Sequence, residues 1–316
     1  MKRVLISILA RVKGNVNANG TIAALTEIKK FFTTEGETKV FVSGRCVKYC
    51  IKQRLNEKGE FEFSPLERRR RVVQSKGNPV RYIDDDLFGF MITETEEKAR
   101  RRFAPIKTDG IVALRHCEIT RDFGARFDPS EKENPSPFEV EVADFIGQNN
   151  WILTENIGRF EEQELVREII QASNLEEKEE NERKVYYLPQ DEREKRLKTF
   201  LEILLKERYT FPRSATGLHQ PQYYYAVVSP TRRLLPLFAH IDYVNKNGKI
   251  LLDMDKLRDL VDLLNGEEKV TIIDFEHVIG EEIEKRDEFK SKPIEILKPQ
   301  QIDSVINEIT NFLISA

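Results

Sequence analysis

Apolar and polar residues alternate through "RVLISILARV", residues 3–12, with Val4, Ile6, Ile8 and Ala10 on one side. This period of two predicts a strand. The Gly/Asn-rich "KGNVNANG" at 13–20 is expected as loop. "IAALTEIKKFF" fits either a short helix or a segment flanking a strand, and "KVFVSG" is a short strand that ends at Ser43. The period then changes to 3.6. Val47, Cys50, Ile51 and Leu55 fall on one helical face, so a helix over 43–57 is predicted with Ser43 as its N-cap. Strands are expected at 110–120, at 137–145 and at 222–229, with "WILTENIGRF" continuing the sheet. A helix is expected over 191–209, where acids lead the first turn and Leu197, Phe200, Leu201 and Leu204 line one face.

Further along, Asp253 should cap a helix through Leu264, "KVTIID" reads as a strand, and "QQIDSVINEITNFLI" reads as an amphipathic helix. Residues 56–109 are irregular and charge-rich, an insertion hung on a core. Residues 160–188 are acidic and expected to be exposed or mobile. The core order is β-α-β-β-α-β, an α+β, ferredoxin-like arrangement also used by the RNA-recognition motif (RRM), which meets RNA with a sheet face or with loops. The aromatic pattern of that motif's strands is absent.

Charge changes the picture more than composition does. The net charge is −3, yet residues 1–126 hold 26 Lys+Arg against 16 Asp+Glu, and residues 127–316 hold 25 against 38. A basic half joined to an acidic half suits a polyanion-binding surface and mutual attraction of copies. Arg45, Lys48 and Lys52 share a face of the first helix, whose Ser-Gly start offers unpaired N–H groups to a phosphate. Arg121, Phe123, Arg126 and Phe127 interleave cations with aromatic rings, a composition fitted to stacking on bases while gripping phosphates. Solvated surface lysines and a local apolar cluster account for the same two patterns without a ligand.

Cys46-x3-Cys50 is not a common zinc spacing, and Cys117 and the four histidines add no metal motif. No glycine-rich nucleotide loop or G-x-S-x-G occurs. No apolar run approaches a membrane span, and "VLISILARV" is too short for one and lacks a signal-peptide cleavage site, so a cytoplasmic protein with no membrane partner is expected. The candidate chemistry is "YIDDDLFGFM", residues 82–91. On a strand, neighbouring side chains point to opposite faces, so Asp84, Asp85 and Asp86 cannot converge on one metal. The expected role is structural: the acids cap or pin the base of the insertion by pairing with Arg68–Arg71, Arg81 or Arg100–Arg102, within the subunit or across to the next copy, while Leu87, Phe88, Phe90 and Met91 enter the core.

Several of these stretches together resemble a known family. They are the N-terminal strand into "GNVNANG", "VSGRCVKYCIKQRL", "YIDDDLFGFM", "ALRHCEITRDFGARFDP" and "KRLKTFLEILLKER". The likeness is to the crRNA-binding backbone subunit of type I CRISPR Cascade, in the DevR-type branch of the RAMP superfamily, the seventh CRISPR-associated protein family. It runs over most of residues 1–230 and thins in the C-terminal third, with subtype I-B favoured. It implies a modified RRM palm (1–55 and 110–230), a finger-like insertion (56–109), a thumb-like hairpin (117–136) and a C-terminal part (231–316) packed on the palm. It also implies a non-catalytic scaffold whose copies line a CRISPR guide RNA and present it to target DNA, beside subunits of the fifth, sixth and eighth CRISPR-associated families, without a cofactor. The RNA seat would comprise Asn15, Asn17, Ser43, Gly44, Arg45, Lys48, Arg115, Arg121, Phe123 and Arg126. The stretch 209–222 is poorer in glycine than the likeness leads one to expect. Two alternatives stay open: a metal-dependent RNA nuclease using Asp122 or Asp128, and a DNA-binding autoregulator, for which no helix-turn-helix is evident.

Overall fold

A computed structural model describes residues 1–315 apart from 70–71, 94–98, 127–135 and 213–218. Six elements form the palm: β1 (Arg3–Gly14), α1 (Gly44–Lys58), β2 (Ile106–Ala113), β3 (Ser136–Thr154), α2 (Gln190–Leu201) and β4 (Gln222–Thr231). Their order in the sheet is β4-β1-β3-β2, the ferredoxin-like arrangement of a βαββαβ unit. β1 is central and antiparallel to both neighbours, pairing Val4 with Leu153 and Ala10 with Gly147 on one side, and Ile6 with Val228 on the other.

Residues Val4–Ala10 are all buried, because each face of β1 is covered by a different layer. On one face Val4, Ile6, Ile8 and Ala10 meet Val47, Ile51 and Leu55 of α1, Leu197 and Phe200 of α2, and Val305 and Ile309 of the helix Ile302–Ile314. Trp151 and Phe200 meet edge to face there at 5.5 Å. On the other face Leu5 and Leu9 meet Leu237, Leu252, Leu257 and Leu260 of the C-terminal third. Gln148 fastens this second layer, donating to the carbonyls of Phe238 (2.8 Å) and Ile241 (3.3 Å) and to Ser7 Oγ (3.0 Å). The C-terminal third also lengthens the sheet: Val270–Asp274 runs antiparallel to β4, and Ile294–Leu297 runs parallel beyond it. The sheet face that an RNA-recognition motif leaves open is thus occupied, and loops, edges and helix ends remain for ligands.

Several local expectations are corrected. The stretch 13–20 is not all loop: β1 reaches Gly14, and Ala18–Ile22 pairs with Leu25–Ile28 as a hairpin. Its turn holds Ala23 at φ 54° without the Gly or Asn that signals such a turn. The strand expected at 110–120 stops at Ala113, because the chain leaves β2 to bond the start of the neighbouring strand Thr38–Ser43: Cys117 N donates to Thr38 O, and Thr38 N to His116 Nδ1. It resumes as Thr120–Arg126, paired with the first third of the 19-residue β3.

The acidic stretch 160–188 is exposed in part but ordered. Glu176–Glu180 and Arg183–Tyr187 form a hairpin through Asn181 and Glu182, both at positive φ, over a small core of Phe160, Leu165, Tyr186 and Leu188. The helix expected to 209 is α-helical only to Leu201, and a π turn over Glu202–Glu207 follows, keeping Ile203, Leu204 and Leu205 all buried.

Candidate nucleic-acid interface

The strand Thr38–Ser43 pairs with β2 at the palm's edge, with Ser43 opposite Gly110. Ser43 is extended, and its Oγ accepts from Cys46 N at 3.3 Å, capping α1 as its side chain predicts. Asn17 Oδ1 accepts from Ser43 N at 2.8 Å, which ties the segment after β1 to the helix start. Gly44 and Gly110 make the close approach possible. A Cβ on Gly44 would stand 2.6 Å from Thr108 O, and one on Gly110, at φ +97°, would stand 2.0 Å from Val42 O.

The helix start is cationic and unmatched. No acid lies in the first turn of α1. Arg45 is exposed, and neither it nor Lys48 has an ion-pair partner among the described residues. Lys48 lies 5.9 Å over the ring of Phe88; burial pulls its ammonium below the usual lysine range, and Lys52 and Lys107 push the same way. Asp109, beside Gly44, turns its carboxylate to Asn150 Nδ2 at 3.2 Å. Two groups here carry no sequence signal of their own: Lys107, exposed on β2, and Tyr49, half-exposed one turn beyond Arg45.

The thumb-like hairpin lies elsewhere on the chain's surface. Phe123 is 69% exposed, and Arg121 is exposed with Glu139 at 3.6 Å. Arg126 ends the strand, and its side chain, like Phe127 and Asp128, lies outside the described residues. Asn15 is a buried brace at the hairpin's base, donating to Glu141 O (2.8 Å) and Thr26 O (3.3 Å). Arg115 joins neither group. It lies near the Thr38 end of the strand Thr38–Ser43, paired with Asp242 at 2.9 Å and stacked on Tyr243 at 4.8 Å, where it pins the C-terminal third to the palm. The structure therefore brings together Asn17, Ser43, Gly44, Arg45 and Lys48, and separates them from Arg115.

The Asp84–Asp86 motif is a short helix, Ile83–Phe88, rather than a strand. Successive helical residues point about 100° apart, and each carboxylate finds its own partner. Asp84 takes Lys52 at 3.0 Å and the amide of Ser64 at 2.9 Å. Asp85 accepts from Asn78 N at 2.9 Å, and burial pushes its carboxyl up. Asp86 accepts from Arg102 (2.6 Å), Arg196 (2.9 Å) and the amide of Gly158 (3.1 Å). Among the described residues Arg102 is an expected partner that pairs with these acids, and Arg81 goes to Glu62 instead. Lys52 and Arg196 arrive from α1 and α2. Leu87 and Phe90 are buried and Phe88 partly so, but Met91 is 71% exposed, a correction to the expected core. Among the described residues no three His, Cys, Asp or Glu side chains gather as a metal-binding group.

Comparison with known proteins agrees with this architecture. Two solved structures share the fold across nearly their whole length. One is titled a CRISPR RNA-guided surveillance complex (TM-score 0.59, 12% identity, 98% of this chain and 99% of that one). The other is titled a CRISPR RNA-guided surveillance complex, pre-nicking (TM-score 0.58, 11% identity, 97% and 100%). No curated protein matches by sequence. Residues 8–218 match the family described as "CRISPR-associated negative auto-regulator DevR/Csa2", and since this is well over half of the chain, the protein belongs to the DevR/Csa2 CRISPR-associated family.

Proposed function

We propose that this protein is a non-catalytic subunit of a Cascade-type surveillance complex that binds CRISPR guide RNA along its backbone, without sequence preference, and assembles with further copies of itself along that RNA. The observation that carries the reading is the start of α1. Its helix N-terminus, Arg45 and Lys48 form a positive seat that no acid of the chain's described residues neutralises. Phosphates are the matching chemistry, since helix N-termini and cations bind them without reading bases. The exposed Phe123 on the thumb-like hairpin supplies a stacking surface of the kind that splays single-stranded bases. The commitment of Asp84, Asp85 and Asp86 to separate internal partners supports a scaffold over a nuclease. The test is the nucleic acid that accompanies the purified protein, sized and sequenced. Short RNAs of CRISPR-repeat origin, displaced by salt, are expected. Duplex promoter DNA in their place would favour an autoregulator, and Mg²⁺-dependent RNA cleavage that is lost in Asp122→Ala would favour a nuclease.

A further inference from the structure

The π turn after α2 ends on Arg208, which has φ 75° and ψ 180°. That conformation suits glycine, and a residue with a long side chain is held in it only when its surroundings insist. The surroundings are two aromatic rings. The guanidinium carbon lies 3.8 Å from the ring centre of Tyr223 and 4.7 Å from that of Phe275, and these rings pack edge to face on each other at 5.9 Å. One Nη donates to Leu205 O, and the guanidinium has no other hydrogen-bond or carboxylate partner among the described residues. Glu207, next in the chain, turns to Lys58 and Arg54. Arg208 is thus a half-buried, fixed and unpaired cation. A fork pre-oriented by stacking loses little freedom on meeting a phosphate, and its planar donors match two phosphate oxygens.

Its position connects it to the helix start. Tyr209 OH accepts from Asn149 Nδ2 (3.1 Å), Asn149 Oδ1 accepts from Thr108 Oγ1 (3.3 Å), and the Thr108 carbonyl is the atom packed against Gly44. Close by, Phe211 N donates to His219 O, and the His219 ring lies against Gly14 at the end of β1. We propose that Arg208 holds a backbone phosphate of the bound single-stranded RNA, as a second anion seat beside the one at Ser43–Lys48. This rests on the RNA-binding reading above and adds a contact to it.

The experiment is fluorescence anisotropy with a labelled oligouridylate and full-length protein stripped of nucleic acid by salt. Wild type, Arg45→Ala/Lys48→Ala, Arg208→Gly and Arg208→Lys are compared across a salt series. Arg208→Gly relieves the backbone, so its Tm should equal or exceed that of wild type. Its affinity should fall about tenfold, and its log–log salt slope should shrink by about 0.7, one single-strand phosphate contact. Arg208→Lys should keep the slope while losing about threefold in affinity, because charge survives and the fork does not; it decides the matter if Arg208→Gly fails to fold. Wild-type affinity and slope in the folded Arg208 variants, with binding lost in Arg45→Ala/Lys48→Ala, would overturn this inference alone. Absence of binding by wild type would overturn the RNA reading with it.

Discussion

At the base of the finger-like insertion the buried charges are matched to partners, whereas at the start of α1 two cations have none among the described residues. Asp86 is closed off by Arg102, Arg196 and the Gly158 amide, and Arg102 spends its remaining donors on Glu164 and three backbone carbonyls. Arg45 and Lys48 sit on the same α1 as Lys52, which is paired, yet among the described residues no carboxylate pairs with them. The difference separates two uses of charge. A matched buried network fixes the relation of α2, the insertion and the turn after β3, and has no capacity left for a ligand. An unmatched cluster at a helix N-terminus keeps its capacity and waits for an anion.

The comparison breaks most visibly at Asp86. Asp86→Ala strands two buried guanidinium groups and should cost about 3–5 kcal/mol, read by urea or thermal unfolding, with RNA affinity falling only as far as unfolding explains. A loss below about 1 kcal/mol would mean that the network relaxes and is not the fastener described here. Gly110→Ala should come next, at about 2–3 kcal/mol, since the new methyl meets Val42 O and φ stays positive. Because Gly110 lies against the helix start, this variant should weaken RNA binding as well, and unchanged binding would separate Gly110 from the seat. Arg45→Ala/Lys48→Ala should do the reverse of Asp86→Ala. Stability should stay within about 0.5 kcal/mol of wild type, while the salt slope of RNA binding falls by about 1.4, two single-strand contacts. A change in Tm with no change in slope would sink the assignment of these cations to a ligand.

How much of this was legible in the chain follows from the range of the interactions involved. The Ser43 cap, the apolar face of α1 and the order of the palm elements are local, and period and capping rules reach them directly. The Ala18–Ile28 hairpin was not legible, because its turn is made by two alanines and its second strand, Leu25–Ile28, is held by pairing with β3. The three aspartates are internal and divided among partners, but on a helix rather than a strand, and of the three only Asp86 pairs with an expected arginine among the described residues; Lys52 and Arg196 could not be named because they come from helices 32 and 110 residues away. Arg115 carries the same local signal as Arg121, a cation beside a strand. Only the placement of Asp242, 127 residues later, turns it into an internal clasp.

The smallest effect tests whether pairing alone defines the first class of charge. Glu268 accepts from Arg233 Nε (3.0 Å), Thr231 Oγ1 (2.5 Å) and Asn265 N (3.3 Å). The Arg233 guanidinium first, and then the hydroxyl and amide, outweigh burial and hold the carboxyl at about 2, against an ordinary value of about 4.3. A carboxyl depressed by folding stabilises fully above its unfolded value, and that contribution is lost as pH falls from about 4.3 through about 2. Arg233 is half-exposed, so the contribution is screened to about 1 kcal/mol rather than the full shift. Glu268→Gln should therefore be less stable than wild type by about that amount at pH 7, with the gap closing over this acid window and narrowing with added salt. The Asp86 network, enclosed in protein, should show no comparable salt response. If both respond alike, burial rather than pairing is the wrong criterion for telling fastener from seat, and the helix start would have to be judged on RNA binding alone.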